Sequence, residues 1–170
     1  MAQGVEFRIN TPVNISDDQI EPSVTGLNDG GFVVAWSAEL TSPGLITARR
    51  FDANGIAQGN DLLVNAPAIH EHRFPSITDL TNGGFVVVWQ SSSQDFSIGN
   101  GIYGQRYDSN GVAQCSEFIV NSFITDDQSK PSVAGLKDGG HGVHLDRMEV
   151  MMVSMLSSLM RMEEQRVILH

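Results

Sequence analysis

The chain has 170 residues and twice as many acidic as basic side chains, which leaves a formal net charge of −10 at pH 7. An acidic surface repels nucleic acid and anionic membranes, and no basic cluster interrupts it, so neither is expected as a partner. The length is sufficient for one domain with a sizeable core. The single cysteine, Cys115, excludes an intrachain disulfide.

The N-terminal segment does not have the pattern of a secretion signal. Residues 1–7 (MAQGVEF) contain neither the basic region nor the apolar region of a Sec-type signal peptide. No apolar run in the chain reaches the length of a membrane span. The sequence therefore predicts neither a signal peptide nor a membrane-spanning segment.

A short β-rich run opens the chain and then recurs. EFRIN at 6–10 returns as DLLVN at 61–65 and as EFIVN at 117–121, at spacings of 55 and then 56 residues. Self-similarity at a nearly fixed period is typical of repeat architectures. We therefore expect the chain to be built from repeated structural units.

The longest repeated stretch follows this run. PSVTGLNDGGFVVAW at 22–36 returns as PSITDLTNGGFVVVW at 75–89, and a third copy begins with PSVAGLKDGG at 131–140. Glycines beside Asn or Asp favour the positive φ that a tight hairpin requires, so the stretch predicts two antiparallel strands joined by a turn. Apolar residues on both faces of the FVVxW strand indicate that it is covered on both sides.

A second hairpin is predicted after each of these stretches. ITARRFDANG at 46–55 matches IYGQRYDSNG at 102–111, and each ends in an Asp-x-Asn-Gly turn that leads to the next EFxVN-type run. Each unit thus supplies four short strands. Their expected order runs from PSVxxL, the innermost, through FVVxW and the arginine-containing strand to EFxVN, the outermost.

Four antiparallel strands per unit fit the blade of a β-propeller. The expected fold is therefore all-β, with four-stranded blade-like repeats, and a serial β-sandwich is the alternative. Propellers close with about four to eight blades. Residues 1–140 hold two complete units and the start of a third, which predicts an incomplete propeller.

The pattern changes in residues 141–170, which contain all but one of the seven methionines. Apolar residues recur there at steps of three and four, as at Leu145, Met148, Met152, Met155 and Leu159. This spacing predicts a helical tail outside the repeats, covering an exposed sheet edge.

An alternative hypothesis for this tail comes from the genetic code. Methionine has a single codon, so a reading phase one base earlier forces glycine or Asp-Gly at several methionines. With permitted codon choices, 149–164 can then read as a sequence that resembles 101–111. Residues after about 140 would then be an out-of-frame tail on a truncated repeat. The coding DNA tests this hypothesis.

The combined motifs PSVxxLxDGGFVVxW, IYGQRYDxNG and EFxVN resemble the tandem repeats of large secreted bacterial proteins. Many of those proteins also carry hemolysin-type (RTX-like) calcium-binding or adhesin modules. The resemblance covers residues 5–140 and implies an extracellular or cell-surface location. The glycine-rich nonapeptide GGxGxD that binds calcium in RTX modules is absent from the sequence, so its function is not implied.

Calcium is the one cofactor that the sequence brings into consideration. A full calcium loop needs further acidic ligands and a bidentate carboxylate, and no Glu stands at the required place after Gly55. Hairpin turns and solvated loop acids are therefore the preferred interpretation, and we predict no catalytic residue and no firm metal site. The weak metal candidates are Asp17, Asp18, Asp52, Asn54, Asp108, Asn110, Asp126 and Asp127.

The run His70-Glu71-His72 would place two imidazoles on one face of a strand. No third or fourth metal ligand stands nearby, and alignment of the units puts His72 opposite Gln128, so a surface loop is preferred. Cys115 aligns with Gly59, which indicates a tolerated free thiol.

The two tryptophans and three arginines also have structural interpretations. Trp36 and Trp89 end equivalent apolar strands, so packing between units is preferred over sugar stacking. Arg49, Arg50 and Arg106 are expected to lie over aromatic or carboxylate neighbours between units.

The preferred function is non-enzymatic: a structural and interaction repeat fragment of a secreted or surface bacterial protein. Its expected partners are other units, copies of itself, or an extracellular protein or glycan. The alternative is a calcium- or carbohydrate-binding module of a hemolysin-type protein. A sialidase-like enzyme ranks third, because the required Arg cluster and acid/base set are absent from the sequence.

Association is a further expectation. Two units would expose the apolar faces of Val33 and Val86, and patches of that size drive self-association. We expect the chain to oligomerise or aggregate unless 143–169 folds back as a cover.

Overall fold

The structure is a computed structural model. Its described residues are 6–11, 18–39, 44–66, 70–92, 99–121, 127–136, 141–145 and 148–153. They form eleven β-strands in three antiparallel sheets, with no helix in this part of the chain. The all-β prediction is therefore confirmed for the described residues.

Sheet 1 is the first repeat unit and has its strands in chain order. They are β1 (Asp18–Gly26), β2 (Phe32–Glu39), β3 (Leu45–Phe51) and β4 (Leu62–Leu63). The predicted order of PSVxxL, FVVxW, arginine strand and EFxVN-type strand is confirmed.

Sheet 2 is the second unit and repeats this arrangement. Its strands are β5 (His72–Asp79), β6 (Phe85–Ser92), β7 (Asn100–Tyr107) and β8 (Ala113–Ile119). The pairings are equivalent, as Phe32 opposite Phe51 in sheet 1 and Phe85 opposite Tyr107 in sheet 2 show. The repeated sequence motifs therefore pair in the same register in both sheets.

The predicted hairpin turns are present in both sheets. The Leu27 N–H donates to the Gly31 carbonyl at 2.8 Å, and the Leu80 N–H donates to that of Gly84 at 2.8 Å. Gly30 and Gly83 adopt φ of 83° and 85°, the left-handed conformation that glycine enters without a Cβ penalty.

Sheet 3 corrects the prediction for the C-terminal part. Its strands are β9 (Ser132–Gly135), β10 (His141–Leu145) and β11 (Met148–Val153), with β10 paired to both neighbours. The predicted helix is therefore wrong for 141–145 and 148–153, which continue the sheet begun by β9. The rest of that prediction, at 146–147 and 154–170, lies outside the described residues.

The core consists of apolar layers between successive sheets. One layer packs Val33, Ala35 and Ile46 of sheet 1 against Val87 and Trp89 of sheet 2. The next packs the opposite face of sheet 2, with Val86, Val88 and Ile102, against Val133 and Val143 of sheet 3.

These layers correct a premise of the association prediction. Val33 and Val86 have no exposed surface, because sheet 2 covers the first and sheet 3 covers the second. A C-terminal helix was expected to cover the exposed sheet. Among the described residues, the strands of sheet 3 cover sheet 2 instead.

Candidate functional site

The Asp-x-Asn-Gly segments, the first of the weak calcium candidates, form hairpin turns. The Oδ1 of Asp52 accepts the N–H groups of Asn54 and Ile56, both at 2.9 Å. The Oδ1 of Asp108 accepts those of Asn110 and Val112 at 2.8 and 2.9 Å. In each turn one carboxylate oxygen is therefore occupied by the backbone of its own hairpin.

Each pair of adjacent aspartates, 17–18 and 126–127, has one member among the described residues. Asp17 and Asp126 lie outside the described residues. Asp18 is exposed at the start of β1, and the Oδ1 of Asp127 accepts the backbone N–H of Asn100 at 2.9 Å. Among the described residues, no group of three or more His, Cys, Asp or Glu side chains is placed to hold a metal ion.

His70 is half-buried and lies just before β5, whereas His72 lies within β5. His72 has no exposed surface, and its Nδ1 lies 3.1 Å from the Gly44 carbonyl oxygen. The surface-loop prediction is therefore wrong for His72, which is part of β5. The residue aligned with it, Gln128, is also buried and accepts a hydrogen bond from Asn121 at 2.8 Å.

Both tryptophans belong to the core. Trp89 has no exposed surface and packs between sheets 1 and 2, while Trp36 is 4% exposed on the other face of sheet 1. The packing interpretation is thus confirmed for Trp89. The segment 6–11 contributes Ile9 to the cluster that contains Trp36.

Arg49 and Arg50 have the predicted aromatic and carboxylate neighbours in the first unit. Arg49 Nη1 also donates to the Ile9 carbonyl and the Thr11 hydroxyl of the segment 6–11, at 3.1 and 3.0 Å. The guanidinium of Arg49 lies 5.8 Å from the ring centroid of Phe51, and its Nε lies 3.4 Å from Asp61 Oδ1. Arg50 pairs with Asp29. Burial lowers the pKa of Arg106, whereas nearby Cys115 acts in the opposite direction.

Cys115 is a free, exposed thiol, as its alignment with Gly59 predicted. Its φ of 66° matches the left-handed conformation of Gly59, at 86°. Cys115 therefore has the backbone conformation that Gly59 has at the equivalent position of the first unit.

A charged cluster that the sequence analysis did not identify links sheets 1 and 2. It comprises Glu21, Arg73, Phe74 and Lys130. Glu21 accepts from Arg73 Nη2 at 3.1 Å and from the Phe74 N–H at 2.8 Å. Arg73 and Lys130 lie 5.5 and 5.9 Å from the Phe74 ring centroid.

The sequence contained a signal for this cluster. Glu21, Phe74 and Lys130 each precede the proline of their unit, and each has a positive φ, at 56°, 53° and 48°. A non-glycine residue in this conformation costs about 1–3 kcal/mol, so the surrounding contacts must hold it. The repeated backbone turn thus directs three different side chains to equivalent places.

The asparagine of the EFxVN motif has a role that the sequence analysis also missed. The Oδ1 of Asn65 accepts the Ile46 N–H at 2.7 Å, and the Oδ1 of Asn121 accepts the Ile102 N–H at 2.7 Å. Both asparagines are nearly buried, at 2% and 3% exposure. Each side chain therefore fastens the fourth strand to the third.

One cleft of about 190 Å³ opens beside Trp36. It lies between the segment 6–11 and sheet 1. A small polar ligand or a side chain can bind beside a tryptophan that has polar neighbours. Its lining consists of Thr11, Gln19, Trp36, Ala38, Thr47, Asp61 and Leu63.

No helix among the described residues is long and apolar enough to cross a membrane. No protein-family model and no curated protein matches the chain. Among solved structures, the chain is similar to the crystal structure of an endo-arabinase from Bacteroides thetaiotaomicron VPI-5482. The TM-score is 0.52 at 15% sequence identity, and the match covers 82% of this chain and 57% of the endo-arabinase chain. At this identity the similarity concerns the fold alone.

Proposed function

We propose that the chain is a non-enzymatic structural repeat, in which each unit is a propeller-like blade of a secreted or cell-surface bacterial protein. The observation that carries the proposal is the repeated contact between units. Sheet 1 packs against sheet 2 through the face that contains Val33 and Ile46, and sheet 2 packs against sheet 3 through the equivalent Val86 and Ile102.

The first strands of successive sheets support a blade arrangement. β1 contacts β5, and β5 contacts β9. The Ser23 hydroxyl accepts the Ile77 N–H at 3.2 Å, and the Ser76 hydroxyl accepts the Val133 N–H at 3.1 Å. The same serine thus joins each unit to the next one, close to the expected innermost strand.

The use of the acidic side chains supports a non-enzymatic role. A general acid or base needs a carboxyl group that is available to a substrate. Here Glu21 binds Arg73, Asp61 binds Arg49, and Asp29 binds Arg50. Asp52 and Asp108 bind the backbone of their own turns. These carboxylates support the fold.

A carbohydrate-binding module is the second candidate function. The cleft beside Trp36 supports it, because Thr11, Gln19 and Asp61 there could hydrogen-bond to sugar hydroxyls. The similar solved structure is named as an endo-arabinase, although that likeness extends only to the fold.

The two functions are distinguished by calorimetric titration of the folded chain with calcium and by a glycan screen. The structural proposal predicts no binding in either experiment. The matched variant is Thr47→Tyr, since Tyr103 occupies the equivalent position in sheet 2 and a tyrosine would fill the cleft. Glycan binding that Thr47→Tyr abolishes would replace the structural proposal with the carbohydrate-binding one.

A further inference from the structure

The segment 6–11 lies on sheet 1 as the segment 61–66 lies on sheet 2. Phe7 contacts Phe32 and Phe51, with ring centroids 6.4 and 5.8 Å apart. Its equivalent, Leu62, packs against the cluster that contains Phe85 and Tyr107, the counterparts of those two rings. The first aromatic or aliphatic residue of each segment therefore covers the same place on the following sheet.

Two further contacts repeat. A Cβ on Gly55 would lie 3.4 Å from Phe7, and one on Gly111 would lie 3.4 Å from Leu62. The Thr11 N–H donates to Asp61 Oδ2 at 3.1 Å, as the Ala66 N–H donates to the carboxylate of Glu117. The placement of 6–11 is thus the one that the repeat specifies.

The two segments differ in what lies beside them. Residues 62–63 form the fourth strand of sheet 1, and Asn65 is bonded to β3 and only 2% exposed. Within the described part of the chain, residues 6–10 are paired with no strand, and Phe7 is 52% exposed. The cleft beside Trp36 opens next to this segment.

We propose that residues 6–10 form the fourth strand of a preceding repeat unit, which docks on the Trp36 face of sheet 1. This inference rests on the proposed structural function. The partner is a three-stranded antiparallel unit of the same repeat type. Its third strand would pair with 6–10 and bond to the Asn10 side chain, as β3 does with Asn65 and β7 with Asn121.

The repeat also specifies the chemistry of this partner. Opposite the counterparts of Phe7, the third strands carry small residues: Ala48 pairs with Leu62, and Gly104 pairs with Phe118. A Cβ on Gly104 would lie 2.8 Å from the Phe118 ring, so space at this position is limited. The docking unit therefore needs glycine or alanine opposite Phe7.

Sheet 3 of a second copy fits this role less well. Its β10 carries Gly142 where the other sheets carry Val33 and Val86, as the pairing of β9 with β10 shows. Nothing lies within 4 Å of a Cβ on Gly142. A glycine offers no apolar side chain to the Trp36 face at this position, so a unit with valine there is the better occupant.

The test compares three equivalent asparagines in two proteins. One protein is the chain itself. In the other, residues 1–5 are replaced by a copy of 66–116. Residues 6–10 then follow the copied Ser116 as residues 117–121 do in the chain, and Asn10 takes the position of Asn121. Each protein is prepared with Asn10→Ala, and the chain itself also with Asn65→Ala and Asn121→Ala as matched controls.

The proposal predicts a difference between the two proteins. Asn65→Ala and Asn121→Ala should each lower the Tm by about 3–10 °C, because a buried backbone N–H loses its acceptor. Asn10→Ala should shift the Tm of the chain itself by no more than about 1–2 °C, yet lower that of the extended protein by about 3–10 °C. Melting of the extended protein should be a single transition.

Three results would overturn the proposal. They are an equally small effect of Asn10→Ala in the extended protein, separate melting of the added unit, and a homodimer of the chain itself that Asn10→Ala dissociates. The last would identify a second copy as the occupant. Calcium or glycan binding by the chain would instead refute the proposed function, and it would leave the result at Asn10 unchanged.

Discussion

At the residue scale, the paired turn glycines meet two different requirements. Gly30 and Gly83 have positive φ, whereas Gly31 and Gly84 lie against the backbone of the next hairpin. A Cβ on Gly31 would lie 2.4 Å from the Phe51 carbonyl oxygen. The first glycine is therefore required by conformation and the second by close approach.

We predict that Gly31→Val lowers the free energy of unfolding by about 1–3 kcal/mol, because the backbone must shift to admit the side chain. Gly26→Val is the matched control, since nothing lies within 4 Å of a Cβ at Gly26. Urea denaturation of both variants measures the difference. Equal losses in the two variants would show that the close approach at Gly31 is not limiting.

Trp89 provides a test of the layer between sheets 1 and 2. Trp89→Ala should cost about 3–5 kcal/mol, because a fully buried ring is removed from a packed layer. Val24→Ala, at a position that is 63% exposed, should change stability by no more than about 0.5 kcal/mol. Chemical denaturation ranks the two, and a neutral Trp89→Ala would contradict the packing account.

Asp108 distinguishes a hairpin turn from an ion site. Asp108→Ala removes the acceptor of two backbone N–H groups and should cost about 1–2 kcal/mol. Asp108→Asn keeps a carbonyl oxygen at that place and should cost less. Neither stability should depend on calcium, which is measured by thermal melts with calcium and with a chelator. A calcium-dependent loss in Asp108→Asn would indicate an ion site.

Tyr107 makes stability depend on pH in the alkaline range. Burial, with a smaller contribution from the Glu117 charge, raises the pKa of Tyr107 above its ordinary value of 10.0. In the unfolded chain the phenol ionises near pH 10, but in the folded chain it stays protonated to higher pH. The unfolded state therefore binds fewer protons, and stability falls as pH rises above about 10.

The matched variant is Tyr107→Phe, since Phe51 occupies the equivalent position in sheet 1. Urea midpoints at pH 8 and at about pH 11 measure the loss for both proteins. Tyr107→Phe should lose less stability over this interval, because the ring has no phenol to ionise. Equal losses would show that the phenol does not cause the pH dependence.

At the element scale, the strands were predictable where sequence and register repeat. The order β1-β2-β3-β4 and its copy in sheet 2 follow from strands joined by short turns, because consecutive antiparallel strands pair with their neighbours. The bonds of Asn65 and Asn121 were not predictable. The motif showed that an asparagine recurs, but the sequence does not show which backbone N–H group it reaches.

The helix prediction failed because periodicity was the only local evidence for it. The tertiary context favours a strand at 141–145, since β9 offers an unpaired edge and sheet 2 offers an apolar face to Val143. Helix propensity amounts to no more than about 1 kcal/mol per residue for residues other than proline, so such contacts can override it. His72 was assigned to a loop because the sequence does not show that the Gly44 carbonyl lies within hydrogen-bond distance of its imidazole.

At the scale of the whole molecule, sheet 2 packs between sheets 1 and 3. Sheet 2 has both of its faces covered, one by sheet 1 and the other by sheet 3. The sequence predicted repeated units and apolar faces, but not that Val33 and Val86 would both be buried within this chain. The residues of sheet 3 that cover Val86 are Val133, from the third copy of the repeat, and Val143, from the part of the sequence that departs from it.

The role of sheet 3 as a cover leads to a prediction about association. A chain that ends at residue 140 lacks β10 and β11, and it would expose Val86, Val88 and Ile102 on sheet 2. Contiguous apolar surface of this kind drives self-association, so light scattering should detect oligomers or aggregates.

The matched control is a chain that ends at Val153 and keeps all three strands of sheet 3. It should scatter light as the full chain does, because Val143 still packs against Val86 and Val88. In the chain that ends at residue 140, Val86→Thr should reduce association, because it makes the newly exposed face less apolar. A stable monomer from that chain without the substitution would show that sheet 3 is not needed to cover sheet 2.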